Sequence, residues 1–132
     1  MPSDLRKRFD VIQWLMWQMG GLGPMLGQNH HFSNYAPEKI PYAIDRYVNE
    51  TNRLYGVLNK RLADREFVAG DYSIADMAIW PWILPEGQGQ DLNDFPKLKA
   101  WVATHWLPCM APAESFWRMP SRSPAPKRCR TL

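Results

Sequence analysis

Between Trp17 and Phe32 the chain reads WQMGGLGPMLGQNHHF, which holds three ingredients of a binding site. Clustered glycines can bare backbone N–H groups to a phosphate, histidines can hold a metal, and a proline can break a helix beside a cleft. The first two uses fail on spacing. Gly21-Leu22-Gly23 needs a third glycine at position 26, where Leu26 stands, and no Lys-Ser/Thr pair follows to make a P-loop. His30 and His31 are adjacent, so their side chains diverge. Residues 1–103 offer no cysteine and no HExxH spacing beside them. No metal site is expected, and the imidazoles are read as bonding locally at a helix break.

Two more residue types could do chemistry. Ser73 has a nucleophile's hydroxyl but no GxSxG elbow; with Asp76 three residues later it reads as a helix N-cap box, a folding device. Arg46 lies among acids on a polar helix face. It is either a solvated ion pair with Asp45, Glu50 or Glu38, or a guanidinium fork for a carboxylate ligand. Spacing alone favours the ion pair.

The elements that position these residues follow from periodicity. Ser3 or Asp4 can cap a first helix. Phe9, Ile12, Met16 and Met19 are among its apolar positions, and apolar residues spread all round it, which predicts burial on more than one side. Gly20-Gly21 should weaken that helix and Pro24 stop or kink it. A second helix starts near Pro41 and runs to about Leu62, with Ile44, Tyr47, Val48, Thr51, Leu54, Tyr55, Leu58 and Leu62 at spacings of three and four. A third begins after Ser73 and is bent or ended by Pro81 and Pro85. A fourth starts at Asp94-Phe95-Pro96, with Leu98, Trp101 and Val102 inward. Without an alternating strand pattern or an internal repeat, the body is predicted to be all-α.

Charge is distributed unevenly over the 132 residues. The formal net charge is +3, yet residues 1–103 hold eleven Lys/Arg against twelve Asp/Glu, and residues 104–132 hold five against Glu114 alone. The excess therefore belongs to a tail that also carries five prolines and both cysteines, Cys109 and Cys129. A helical body, 1–103, and a basic, Pro-rich tail, 104–132, are expected as separate units, the tail without regular structure. Thin aromatic interleaving in the tail argues against nucleic acid as a partner. The apolar run Val11–Leu26 is short and carries Gln13, Gln18 and glycines, so a buried helix is expected rather than a membrane span, in a cytosolic setting.

Two stretches carry a resemblance. FVAGDYSIADMAIWPW, with Gly70, Ser73, Ala75 and Asp76 in a G-x-x-[ST]-x-A-D pattern, resembles the capping-box region of the C-terminal helical domain of glutathione transferases. QWLMWQMGGLGPMLGQNHHF followed by IPYAIDRY is similar to a narrower group. That group comprises the nu-class transferases and bacterial disulfide-bond oxidoreductases, with relatives of a yeast prion-forming nitrogen regulator.

The resemblance covers roughly residues 3 to 103 and implies a right-handed helical bundle that, in the family, packs behind a thioredoxin-like domain. Glutathione is the implied co-substrate, and a homodimer or a thioredoxin-like domain the implied partner. The reaction implied for intact relatives is disulfide reduction or thiol addition to an electrophile. The principal catalytic residues of the family lie in the other domain, so none is expected here. The resemblance places the GGLGP stretch along the electrophile side of the cleft, with Trp17, Gly21, Met25 and His30 as its wall, and gives Arg46 a contact to glutathione. The family continues in helix after a segment like FPKLKAWV, whereas THWLPCMAPAESFW follows here. A frameshift near codon 103 is expected to explain the change, in which case another reading frame restores a helical segment.

Overall fold

The computed structural model describes residues 1–106. The tail expected for 104–132 lies almost wholly outside the described residues. Among them are five α-helices: α1 (Leu5–Trp17), α2 (Gly23–His30), α3 (Pro41–Arg61), α4 (Ile74–Ile79) and α5 (Pro96–Trp106). Short 3-10 turns at Trp80–Trp82, Glu86–Gln88 and Leu92–Asp94 connect α4 to α5. The only bridge pairing among the described residues is the isolated one between Phe67 and Gly70.

Asp4 caps α1, its carboxylate accepting from the Lys7 N–H at 2.9 Å. The expected break at Gly20-Gly21 and Pro24 takes another form. A π-turn, Gln18–Leu22, carries the chain from α1 into α2, and a second, His31–Tyr35, follows α2. In the first, the Gly23 N–H donates to the Gln18 carbonyl five residues back. Pro24, exposed in the first turn of α2, has no N–H to donate there, and the widened turn gives its ring room. The helical path is re-registered, not ended.

Helix α3 follows its sequence period: Thr51, Leu54, Tyr55 and Leu58 are buried, and Ile44, Tyr47 and Val48 are half-buried. Helix α4 ends at Ile79, just before Pro81, as its prolines predict. Helix α5 buries Leu98 and Trp101 and half-buries Val102. Its first turn is not capped by Asp94. Asn59, reaching over from α3, accepts from the N–H groups of Lys97 (2.8 Å) and Leu98 (3.2 Å), so the cap also fixes α5 against α3.

One core joins Val11, Leu22 and Leu26 to Leu54, Tyr55 and Leu58 of α3, Ile79 of α4 and Leu98 of α5. The burial expected on more than one side of α1 is met only in part: Ile12, Trp14, Leu15 and Trp17 are half-buried around Val11, and one face stays exposed. Only Val11 of α1 is fully buried, while Leu5, Phe9 and Met16, with Met19 just beyond, are 54–63% exposed. No described helix is long and apolar enough to cross a membrane.

Candidate functional site

The local architecture around the opening glycines is set by Trp82. A Cβ on Gly23 would stand 2.8 Å from Gln18 Nε2 and 3.3 Å from the Trp82 ring, and one on Gly27 3.5 Å from that ring. These two glycines admit an indole of the same chain. Gly20 and Gly21 differ: a Cβ on either would meet nothing within 4 Å.

A buried polar network holds α2 against α3 and the 82–90 loop. Asn29 Nδ2 donates to Thr51 Oγ1 (2.8 Å) and to the Gln88 carbonyl (3.0 Å), while its Oδ1 accepts from Ser33 Oγ (3.0 Å). The Tyr55 hydroxyl donates to Gln88 Oε1 (2.8 Å), and Gln88 Nε2 donates to the Trp82 carbonyl (3.1 Å). Burial pushes the Tyr55 phenol far up from its ordinary value of 10.0, so it stays a neutral donor. Satisfied networks of this kind fix geometry, because every alternative packing strands a buried polar atom. Asn29 and Gln88 were not anticipated: each stands in a polar, glycine-bearing stretch, GQNHH at 27–31 and EGQGQ at 86–90, that hydrophobic periodicity does not mark for burial.

Beside this network lies an open cleft of about 680 Å³ lined by Met25, Tyr42, Arg46, Glu50 and Arg53, among others. Glu50 is taken by Arg53 in a two-pronged pair, Nε to Oε2 at 2.8 Å and Nη2 to Oε1 at 2.7 Å. That hydrogen-bonded pair, countered by partial burial and helped by the charges of Arg53 and Arg46, holds the Glu50 carboxyl below its ordinary 4.5. With Glu50 engaged, no hydrogen bond or ion pair ties the Arg46 guanidinium among the described residues. Its fork faces the cleft uncommitted, which is the arrangement a carboxylate ligand requires.

The other expected wall residues do not share one surface. Met25 joins Arg46 in this cleft. His30 lines a second, apolar groove, its ring packed over Gly87, where a Cβ would come within 3.0 Å. Trp17 is half-buried, edge-on to Trp14 at 5.1 Å between centroids. Gly21 sits in the π-turn, beside open space. His30 also makes the local contacts read from the sequence: Asn34 Nδ2 lies 3.4 Å from its Nδ1 and donates to its carbonyl at 3.1 Å. No three His, Cys, Asp or Glu side chains converge on a metal-sized site among the described residues.

Ser73 and Asp76 form the expected capping box. Asp76 Oδ2 accepts from the Ser73 N–H (3.0 Å) and hydroxyl (3.1 Å), and Oδ1 accepts from the Val68 N–H (3.0 Å). Gly70, between them in sequence, has φ +91°, a conformation that suits glycine. The pattern Gly70-x-x-Ser73-x-x-Asp76 is thus one tight turn fastened to the start of α4.

With this geometry in view, comparison with known proteins is direct. No family model matches the chain. It is 56% identical over 103 residues to the disulfide-bond oxidoreductase YfcG of Escherichia coli, a match covering 76% of this chain and 48% of that protein. It is 55% identical over 84 residues to the disulfide-bond oxidoreductase YghU of the same organism, covering 62% of this chain and 29% of that one. Among solved structures, a glutathione transferase of Burkholderia graminis with two glutathione molecules bound per subunit aligns at TM-score 0.75 and 36% identity. The alignment covers 93% of this chain and 54% of that one. Ure2p in complex with glutathione aligns at TM-score 0.74 and 29% identity, covering 80% of this chain and 54% of that one.

The chain belongs to the glutathione transferases, and its described residues form a helical domain of that fold. Within that family it is similar to the disulfide-bond oxidoreductases, and it spans about half the length of the first of them, less of the second.

Proposed function

We propose that this chain supplies the helical, substrate-side wall of a glutathione-dependent enzyme acting in disulfide reduction or thiol transfer. In that reading Arg46 holds a carboxylate of glutathione, with Met25 beside it and Trp17, Gly21 and His30 as the more distant wall. The observation that carries it is the uncommitted Arg46 guanidinium in a cleft of about 680 Å³, its neighbouring carboxylate already held by Arg53. Glutathione bears two carboxylates, and a bidentate arginine matches either one.

The chemistry would proceed through the glutathione thiolate. That sulfur attacks one sulfur of a disulfide, forming a mixed disulfide and expelling the other as thiolate. A second glutathione thiolate then releases the remaining thiol as glutathione disulfide forms. A thioredoxin-like domain is the proposed source of the groups that activate the sulfur, and a homodimer the proposed assembly. Residues 1–103 are the proposed transferase-type unit and 104–132 a tail of separate origin, in a cytosolic protein. Turnover by these 132 residues alone is expected to be negligible; rates like those of full-length relatives would overturn that.

Calorimetric titration of reduced and oxidised glutathione tests the site itself. Saturable binding that Arg46→Ala abolishes, with helical content unchanged, is the expected result. Absence of binding to the folded chain, or binding indifferent to Arg46→Ala, would remove the arginine from the proposal.

A second reading rests on a different observation. Leu5, Phe9, Met16 and Met19 recur at helical spacing and are all more than half exposed. A continuous apolar stripe of this kind suits an interaction or dimerisation module without catalysis.

A further inference from the structure

The Arg46 cleft has one wall on α3 and takes Met25 from α2 as part of the other. Two contacts, about a turn apart, hold those walls together. Phe32 stacks on Tyr47, itself a lining residue, at 5.5 Å between centroids and 10° between planes. One turn along both segments, Asn29 Nδ2 donates to Thr51 Oγ1 at 2.8 Å, and that hydroxyl donates on to the Tyr47 carbonyl at 2.8 Å. Met25 lies a further turn along α2. Asn29 has no slack. Both of its N–H groups are used, by Thr51 and by the Gln88 carbonyl, and its Oδ1 accepts from Ser33, whose own carbonyl accepts from Lys39 Nζ at 2.6 Å.

Thr51 and Asn29 are both fully buried, and the rest of the buried face of α3 is Leu54, Tyr55 and Leu58. An aliphatic pair would fill the same space with no hydroxyl or amide to satisfy. A hydrogen-bonded pair instead admits a single register, because any slip of α2 against α3 strands the Asn29 amide. Building on the Arg46 reading above, we propose that Thr51 is a positioning residue for the cleft. Through Asn29 it sets the spacing between the Arg46 guanidinium and the α2 wall, so that a ligand carboxylate meets the fork in one pose. A two-pronged contact is sensitive to such spacing, since both N–H···O bonds must form at once.

Reduced glutathione, titrated calorimetrically into the full chain under conditions where circular dichroism shows each variant folded, is the probe. Thr51→Val keeps the shape and removes the hydroxyl; its Kd should rise roughly fivefold, and Thr51→Ser should restore the parent value. Ser33→Ala loosens Asn29 from outside without touching α3 and should weaken binding in the same direction, by about twofold. A residue that only held the fold together would lower the urea midpoint and leave the affinity of the folded protein unchanged. Arg46→Lys separates the routes further. It should cost about tenfold in the parent, where the fork is seated, but only about twofold in Thr51→Val, where it is already displaced. Parent-like affinity in folded Thr51→Val, or Thr51 and Arg46 penalties that simply multiply, would overturn the role of Thr51 and leave Arg46 as a ligand group. Absence of glutathione binding to the folded parent, or binding indifferent to Arg46→Ala, would remove both. Should Thr51→Val fail to fold, Ser33→Ala decides by the same criterion, and unchanged affinity there overturns the proposal.

Discussion

Arg46, Glu50 and Arg53 share one face of α3, and their linkage sets a measurable order of effects. The Glu50 carboxyl is held below 4.5 first by its hydrogen bond to Arg53, then by the Arg53 charge, and least by Arg46, with partial burial opposing. A carboxyl whose folded pKa is depressed contributes stability that is fully present above its unfolded value. That contribution is lost as pH falls through the depressed one. Arg53→Ala should therefore raise the Glu50 titration midpoint more than Arg46→Ala does, followed by carboxyl-carbon NMR. It should lower stability in full above about pH 4.5, the deficit shrinking as pH falls below that value and the parent loses the same contribution. Equal effects of the two variants would mean that Arg46 shares the hydrogen-bonded pair and is not free for a ligand. Gln18 presents the opposite case. It is 3% exposed, and its Oε1 has no hydrogen-bond partner among the described residues. A stranded buried acceptor costs about 1–3 kcal/mol. Gln18→Met, close in volume, should raise the urea midpoint by about 1 kcal/mol equivalent or leave it level; a loss of more than that would show that the amide holds the π-turn.

Element by element, legibility tracked how local each cause is. The turn before α4 was readable because its parts lie within seven residues: Gly70 for a φ of +91°, Ser73 for the cap, Asp76 for the return bond. Asp76→Ala would strand the N–H groups of Val68 and Ser73 in buried surroundings and should cost about 2–4 kcal/mol in chemical unfolding. Gly70→Ala, with open space around it but the wrong φ, should cost about 1–2 kcal/mol by the same measurement. Near-neutral values at both would mean that α4 is set by its packing on α1 and not by its cap. The cap of α5 was not readable, because Asn59 lies 38 residues before the N–H it accepts from. The π-turns were missed for a related reason. A hydrogen bond reaching five residues back has no residue signature of its own, so Gly20-Gly21 and Pro24 read as an end where the chain widens and continues. The Arg46 cleft was half legible: periodicity put Arg46 on a polar face, but that Glu50 would pair with Arg53 instead depended on rotamers that spacing does not select.

At the scale of the whole molecule, the stripe on α1 is the feature the fold leaves unresolved within itself. Leu5, Phe9, Met16 and Met19 belong to the same helical stretch whose Val11 enters the core, and α4, which packs against α1, adds Met77 at 56% exposure and Ile74 at 38%. Burying such side chains is worth about 25 cal/mol per Å² of apolar surface, so an uncovered stripe favours association whenever a complementary surface is at hand. In the proposed enzyme that surface belongs to a thioredoxin-like domain or a second subunit; in the 132 residues alone, another copy is the available one. Sedimentation velocity should then show a weight-average coefficient that rises with protein concentration. Phe9→Lys with Met16→Lys, both at exposed positions, should return the chain to a concentration-independent monomer without loss of helix. If the parent chain sediments as a clean monomer and binds no hydrophobic dye, the stripe is tolerated exposure, and the interaction-module reading falls while the Arg46 proposal stands. If association persists in the double variant, it runs through another face, and the stripe is no longer the candidate docking surface.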